Sequence, residues 1–376
     1  MKKYIIFATL ITALICFPLG WILGDSLGMV FFSQKNGLIS PLINQVKEKK
    51  LPLLKYTIEN LQEYAFQSSS ISVEETITDT TDYISYLFSY QTLEKTMTGQ
   101  LNIPTTPQPD KGYPVVILLR GWVPEETYTT GAGTKSAAAV FAKNGYVTLA
   151  PDFFGFGGSD DETTDSWEAR FQKPINVVEL LKTIKNSPQI NVNGEIIQLS
   201  SCACDMRIWA HSNGGQIALA ALEISGESVK TSLWAPVTAP FPYSILFFSD
   251  EHDDEGKETR KWLSLFEESY DVADFTITQH LDQLQGSFQI HQGTSDEAVP
   301  VTWNDEFVEK IKMENKQRED KLAEIETSTQ SAQPHSILPP IEIDYFKYPG
   351  ANHNLQPDWD TAIQRDLNFF KQGSLN

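Results

Sequence analysis

Short apolar runs bounded by turn residues recur along the central and C-terminal parts of this chain. Runs of this kind that are rich in β-branched and aromatic residues are typical of buried strands. Eight strands are predicted in this way: 84–92, 96–103, 115–120, 146–150, 206–210, 231–234, 288–292 and 341–347. The first two have no helical pattern between them, so we expect them to pair antiparallel at one edge of a sheet.

Apolar positions at helical spacing separate the later strands. The predicted helices are 135–143, 166–185, 215–224, 302–312 and 359–371. Strands that alternate with helices form a mostly parallel sheet that is covered by helices on both faces. The sequence therefore predicts an α/β fold, in which the loops at the carboxyl ends of the strands carry the chemistry.

Residues 1–24 are predicted to be a transmembrane anchor or a signal sequence. Lys2 and Lys3 come first, and the apolar run that follows them is uncharged to the end of the segment. A run of about 20 such residues can cross a bilayer, and the two lysines favour an N-terminus held in the cytoplasm. Pro18 and Gly20 leave a cleaved signal sequence as the alternative. We expect the remaining chain outside the cytoplasm, attached to the cell membrane or secreted.

The exported part divides into a connector and one large domain. Residues 25–79 form the connector. Its second half, residues 51–66, places Leu54, Ile58, Leu61 and Ala65 at helical spacing, which predicts an amphipathic helix packed on the domain. Residues 80–375 contain all the predicted strands. Two segments interrupt their regular alternation: 236–285, which lies between two strands, and 313–340, which is polar and predicts a charged helix followed by a loose loop.

Composition and charge exclude several classes of protein. The chain has 376 residues and is 41% hydrophobic, enough for a sizeable core. Its 49 acidic and 29 basic residues give a net charge of −20, which would repel a phosphate backbone, so no nucleic-acid partner is expected. The three cysteines are too few for a disulfide framework, and Cys202 and Cys204 lack the second pair of ligands that a zinc site needs. No metal site is predicted.

Two serine motifs are candidates for a catalytic nucleophile. The literal G-x-S-x-G pattern occurs at residues 24–28, where Ser26 also lies in the letters GDSL. It follows the predicted membrane segment instead of a sheet strand. None of the six histidines has the aspartate three positions earlier that GDSL enzymes use. We therefore reject this motif.

The second motif is AHSNGG at residues 210–215. A predicted strand leads directly into it and a predicted helix leaves it, as a nucleophile elbow requires. The serine of an elbow sits on a strained turn, so the residues two before and two after it must be small. Ala210 and Gly214 meet this condition, and Ser212 is the candidate nucleophile.

The partners of Ser212 should follow in the order acid, then histidine. Asp296 and His353 fit this order, and each comes just after one of the last two predicted strands. The other histidines nearby are poorer bases: His211 adjoins the serine and His291 lies within a strand. The parallel arrangement would bring Ser212, Asp296 and His353 to the same edge of the sheet.

Two backbone N–H groups are candidates for an oxyanion hole, whose donors are each worth about 3–4 kcal/mol in acyl transfer. Asn213 follows the nucleophile directly. Trp122 follows Gly121, in the loop after the predicted strand 115–120. Because the donors are backbone groups, the side chains at these two positions are free to vary.

Five stretches over roughly residues 80–375 match the motifs of one known family: LLRGW at 118–122, APDFFGFGGSD at 150–160, AHSNGG at 210–215, HQGTSDEAVP at 291–300 and YPGANHN at 348–354. Together they resemble α/β-hydrolases of the prolyl oligopeptidase and dienelactone hydrolase branch. The resemblance implies a Ser212–Asp296–His353 triad, an oxyanion hole at the amides of Trp122 and Asn213, and no metal or organic cofactor.

The chain departs from these relatives in two ways. Arg120 stands where many of them have histidine, which affects side-chain contacts of the loop but not its backbone donors. Full prolyl oligopeptidases also carry a large β-propeller that screens peptides, and residues 25–80 are far too few to form one.

The resemblance implies a serine hydrolase that cleaves peptide or amide bonds through an acyl-enzyme, and the segment at residues 1–24 predicts that it is exported. A carboxylesterase on the same fold is the alternative, and an inactive binding protein is a third possibility. We expect a small-molecule ester or peptide as substrate. Phe241 and Tyr243, in the segment 236–285, are candidate substrate-binding residues if that segment caps the site. Otherwise their rings only pack the segment onto the domain.

Overall fold

The computed structural model describes residues 50–200, 202, 205–249, 254–327 and 338–372. The predicted anchor at residues 1–24 and the rejected serine motif at 24–28 lie outside these residues. Within the described part of the chain, no helix is both long enough and apolar enough to cross a membrane. The described residues from Pro52 onward form one compact unit.

Nine strands in the described part form one sheet. Their bounds are β1 Ser72–Asp79, β2 Tyr83–Thr92, β3 Lys95–Pro104, β4 Val115–Leu119, β5 Val147–Pro151, β8 Met206–His211, β9 Lys230–Trp234, β10 Ser287–Gly293 and β11 Glu342–Tyr348. The strands lie side by side in the order β1-β2-β3-β5-β4-β8-β9-β10-β11. The last six strands in this order, from β5 to the edge strand β11, run parallel to one another.

The structure confirms the predicted α/β fold with a largely parallel sheet. All eight predicted strands are present, and the first two, β2 and β3, pair antiparallel. Sequence reasoning missed β1 and a separate hairpin made of β6 Gln189–Val192 and β7 Glu195–Gln198. β1 lies at the sheet edge with almost every residue exposed, so its sequence SVEETITD lacks an apolar pattern that could reveal it.

Eight α-helices in the described residues surround this sheet. Their bounds are α1 Ile58–Gln62, α2 Lys135–Lys143, α3 Ser166–Asn186, α4 Asn213–Ser225, α5 Tyr243–Ser249, α6 Lys257–Glu267, α7 Val301–Thr327 and α8 Trp359–Lys371. α7 continues well beyond the predicted end at residue 312, because the charged stretch that follows extends the same helix. The loose loop predicted after it includes residues 328–337, which lie outside the described part.

The connector contributes buried side chains to the domain. Leu53, Tyr56, Ile58 and Leu61 are buried in the main core, and the Tyr56 hydroxyl donates a 2.6 Å hydrogen bond to Glu168 Oε1. Of the four positions predicted to form the apolar face of a helix here, Ile58 and Leu61 are buried, whereas Leu54 and Ala65 are exposed. The observed helix is shorter than the predicted one, because a 3₁₀ helix spans Pro52–Tyr56 before α1 begins.

The central strand β4 is apolar along its whole length because both faces of the sheet are covered. Every residue of β4 is buried, and successive side chains point to opposite faces. Ile117 belongs to the larger core, whereas Leu118 belongs to the smaller core together with residues of α2 and α8. This two-sided burial makes the carboxyl edge of the sheet a rigid platform for the loops that follow β4, β8, β10 and β11.

Candidate active site

Ser212 sits on the strained turn between β8 and α4. Its backbone φ of 56° and ψ of −123° are sparsely populated by residues other than glycine. The turn is held by a 2.9 Å hydrogen bond from the Ser212 N–H to the Trp234 carbonyl oxygen. A Cβ atom at Gly214 would lie only 2.2 Å from the Leu119 carbonyl oxygen, so this position has no room for a side chain. The geometry is that of the predicted nucleophile elbow.

Asp296 and His353 are joined directly. His353 Nδ1 lies 3.0 Å from Asp296 Oδ1 and 2.9 Å from Oδ2. The carboxylate is fully buried and also accepts hydrogen bonds from the N–H groups of Ala298 and Val299 and from Gln292 Nε2. The structure thus brings together two of the three residues that the sequence predicted, from loops 57 positions apart.

The surroundings of Asp296 favour its ionised form. Burial by itself would raise the pKa of this carboxyl group, but the hydrogen bonds from His353 and from the Val299 and Ala298 amides outweigh burial and lower the pKa below its ordinary value. An ionised carboxylate can only accept hydrogen bonds, so His353 Nδ1 carries a proton. In the neutral imidazole, His353 Nε2 is then the basic nitrogen.

His353 is held beside the elbow through His211, the residue before the serine. His211 Nε2 lies 3.0 Å from the His353 backbone oxygen, and the centres of the two rings are 4.6 Å apart. Ser212 Oγ makes no hydrogen bond to His353 within the described residues. Such bonds are often long before substrate binds.

His211 itself is unsuited to be the base. Burial, with a smaller contribution from His353, lowers its pKa to about 4, so its ring is neutral near pH 7. Since its Nε2 faces a carbonyl oxygen, this nitrogen carries the proton and donates it to the His353 backbone. Sequence reasoning treated His211 only as a poorer base and missed this contact.

The two candidate oxyanion donors are available. Neither the Asn213 N–H nor the Trp122 N–H donates a hydrogen bond to any described residue. Asn213 is the first residue of α4, where a helix leaves its N–H groups unsatisfied. Gly121 lies against the serine, since a Cβ at this position would be 2.8 Å from Ser212 Cβ. The Trp122 side chain is 78% exposed.

Arg120 supports the loop that carries these donors. Its guanidinium donates to the carbonyl oxygens of Gly121 and Asp152, at 3.0 and 2.9 Å. The same group lies over the rings of Phe156 and Tyr128, 4.1 and 4.6 Å from their centres. Arg120 therefore ties the loop after β4 to the loop after β5, a role that the sequence did not reveal.

His291, the other histidine weighed as a base, is buried away from the elbow. Its Nε2 lies 2.9 Å from Asp366 Oδ1, and its Nδ1 is 2.7 Å from the Tyr348 hydroxyl. Both partners and the ring are buried, so His291 belongs to the packing between β10, β11 and α8.

A cavity of about 290 Å³ opens beside Asn213. Its walls come from α3, from the first turns of α4 and from the segment 236–285. Phe241 lines this cavity and is only 3% exposed, whereas Tyr243 is 65% exposed and does not line it. Of the two substrate-binding candidates, the structure places Phe241 alone at the cavity. Within the described residues, no cluster of histidine, cysteine or acidic side chains is arranged to hold a metal ion.

Several solved structures share this fold. An acetyl xylan esterase from Thermoanaerobacterium sp. JW/SL YS485 is similar with a TM-score of 0.56 and 14% identity, covering 84% of this chain and 93% of that one. An acetyl xylan esterase from Paenibacillus sp. R4 is similar with a TM-score of 0.54 and 13% identity, covering 83% and 91%. A puromycin-hydrolysing peptidase from Mycobacterium tuberculosis has a TM-score of 0.50 and 14% identity, covering 78% of this chain and 40% of that one. No protein-family model and no curated protein sequence matches this chain.

Proposed function

We propose that this chain, which has the α/β-hydrolase fold, is a serine hydrolase with Ser212 as nucleophile, His353 as general base and Asp296 as the acid that orients the base. The observation that carries this proposal is the hydrogen bond between His353 Nδ1 and the buried Asp296 carboxylate, next to a serine in the strained elbow conformation. These are the groups that acyl transfer requires.

The reaction proceeds in two halves. His353 Nε2 takes the proton of Ser212 while Oγ attacks the substrate carbonyl, and the N–H groups of Trp122 and Asn213 donate to the oxyanion that forms. His353 then gives the proton to the leaving alcohol or amine, and an acyl-serine remains. Water then attacks the carbonyl of the acyl-serine while His353 takes a proton from it. His353 returns this proton to Ser212 Oγ as the acid product leaves, so the enzyme is regenerated.

Both peptide or amide bonds and esters remain candidate substrates. The resemblance to prolyl oligopeptidases supports peptide or amide cleavage. The carboxylesterase alternative has its own support, because the cavity beside Asn213 is at the small end of ligand pockets and suits a short acyl group. Two of the structures with a similar fold are acetyl xylan esterases, and an acetyl group is a short acyl group of this kind. Comparing aminoacyl-amide with acyl-ester substrates on one preparation separates the two.

We also propose that the hydrolase works outside the cytoplasm. The apolar segment at residues 1–24 supports export. Cys202 supports it independently, because this residue is disulfide-bonded and disulfides persist mainly in oxidising compartments. Fractionation of the producing cells, followed by protease treatment of intact cells, would test this proposal. Protection of the full chain from the protease would contradict it.

A fluorophosphonate probe on the full-length chain tests the catalytic assignment. We expect labelling at Ser212, found by mass spectrometry, and its loss in Ser212→Ala and His353→Ala. Ser26→Ala is the matched control, because Ser26 lies in the rejected motif and its removal should leave labelling intact. Absence of labelling in a folded sample would contradict the proposal and favour the inactive binding protein.

A further inference from the structure

The cavity beside Asn213 contains a cation that has no acidic partner. Arg170, on α3, lines the cavity and donates a hydrogen bond from Nη2 to Gln216 Oε1 at 2.5 Å. Its guanidinium carbon lies 6.0 Å from the centre of the Phe241 ring. Among the described residues, no carboxylate forms an ion pair with Arg170. Removal of a guanidinium from water without a counter-ion is costly, which is why such groups are normally paired.

Arg170 is half-buried in the wall of the cavity. Burial lowers the pKa of Arg170 to about 10, and no carboxylate acts to raise it again. Lys173, one helical turn further along α3, differs from Arg170 because it has Glu162 as partner, with 3.5 Å between Nζ and Oε1. Its pKa is lowered mainly by burial and further by the charges of Arg170 and Arg120. The cavity wall therefore contains two cations: Lys173, which is paired with a carboxylate, and Arg170, which is paired with no described carboxylate.

A second donor lies next to the guanidinium. Gln216 is in the first turn of α4, three residues after Asn213, and its amide oxygen is used by Arg170. Its amide nitrogen makes no hydrogen bond to any described residue. A guanidinium and an amide N–H₂ side by side match the two oxygens of a carboxylate, and such charge-assisted bonds are strong.

We infer that the substrate carries a carboxylate on its acyl part, which enters this cavity and pairs with Arg170 and Gln216. The substrate class is thus the monoesters or monoamides of short dicarboxylic acids. This inference rests on the proposed function, since it takes Ser212 as the nucleophile and Asn213 as an oxyanion donor. The net charge of −20 repels anions in general, so a preference for an anionic substrate must come from local cations.

The test compares anionic and neutral esters on the full-length chain. Monoethyl succinate, glutarate and adipate are matched with ethyl butanoate, pentanoate and hexanoate, and hydrolysis is followed by acid release. We expect a higher kcat/KM for the anionic member of at least one pair, and a preference that weakens as salt is added. If the wild-type chain shows no anionic preference at any of the three lengths, the inference is wrong.

Arg170→Met removes the charge and keeps most of the bulk. We expect the ratio of kcat/KM for the anionic ester to that for the neutral ester to fall about tenfold or more, through KM more than kcat. Arg170→Lys should restore part of the ratio. Lys182→Met, on the same helix but away from the cavity, is the matched control and should leave both rates unchanged. An equal loss for both esters in Arg170→Met would show a structural role only.

Probe labelling keeps the two proposals separate. If Ser212 reacts with the fluorophosphonate and the anionic preference is absent, the result supports the serine hydrolase and contradicts the carboxylate site. If Ser212 does not react in the folded chain, the result contradicts the proposed function itself. Competition with free acids tests the site without any turnover measurement. We expect glutarate to slow labelling of the wild-type chain more than pentanoate does, and this difference to be absent in Arg170→Met.

Discussion

The ring of His211 donates a hydrogen bond from Nε2 to the backbone oxygen of His353, across 3.0 Å. One histidine precedes the candidate nucleophile and the other is the candidate base, so the contact links the elbow directly to the loop after β11. The imidazole of His353 is thereby fixed from two sides, by Asp296 through its side chain and by His211 through its backbone.

Loss of the His211 contact should slow the chemical step. We expect His211→Ala to lower kcat about tenfold with little change in KM, because a small displacement of the base costs more in rate than in binding. His211→Asn keeps an N–H donor and should retain most of the activity. His280→Ala is the control, since His280 also contacts a backbone oxygen, that of Ala273, and no active-site residue. Equal effects of the His211 and His280 variants would contradict this prediction.

The partly buried His211 should also make the folded state less stable in acid. Its pKa is about 4 in the folded chain, against an ordinary value of 6.5. Between these values the unfolded chain binds more protons, so the free energy of unfolding falls as the pH drops from about 6.5 towards about 4. Urea unfolding at about pH 7 and about pH 5 would measure the fall. His211→Asn, which does not titrate, should show a smaller fall, and an equal one would refute the assignment.

Asp296→Asn should remove most activity without unfolding the chain. An asparagine amide can donate to His353 Nδ1, which would place the imidazole proton on Nε2 and leave no base facing Ser212. We expect kcat to fall about a thousandfold or more. Asp282→Asn, at an exposed position, is the control for loss of an acidic charge. Steady-state kinetics and circular dichroism on both variants check the expectation, and near-normal activity in Asp296→Asn would contradict it.

Gly214→Ala should damage the elbow itself. The added Cβ would lie 2.2 Å from the Leu119 carbonyl oxygen and 2.7 Å from that of Arg120, both backbone atoms. We expect a loss of about 1–3 kcal/mol in the free energy of unfolding, typical of overpacking, together with weaker labelling of Ser212. Gly145→Ala is a useful comparison, because nothing lies within 4 Å of its added Cβ and only the φ of 85° costs stability. Labelling in that variant should stay normal.

The strands and the elbow could be predicted from the sequence because their signals are local. β4 and β8 are covered on both faces, so β4 is a continuous apolar run and β8 is mostly apolar, and both can be recognised without knowing their neighbours. The small residues around Ser212 reflect the space limits of a single turn. Asp296 and His353 were predicted because parallel strands bring their carboxyl ends to one edge of the sheet, and the structure joins these two side chains.

Other features depended on the path of the chain in space. β1 is exposed at an edge, so no apolar pattern marks it. Nothing in the sequence separates Phe241 from Tyr243, and only the folding of the segment 236–285 buries the first and exposes the second. In the sequence, Arg170 is only one of several charged residues of a helix. Its place in the cavity depends on its contacts with Gln216 of α4 and with Phe241.

The physical reason for this division is the range of each interaction. Backbone conformation and alternating burial are set by residues close in sequence, so they leave a pattern that can be read along the chain. Contacts such as that of Arg170 with Gln216, or of His211 with His353, join residues far apart in sequence. These contacts contribute energy only after folding has brought the residues together. The sequence alone therefore determined the fold class and the order of the catalytic candidates. The tertiary structure decided what surrounds those candidates.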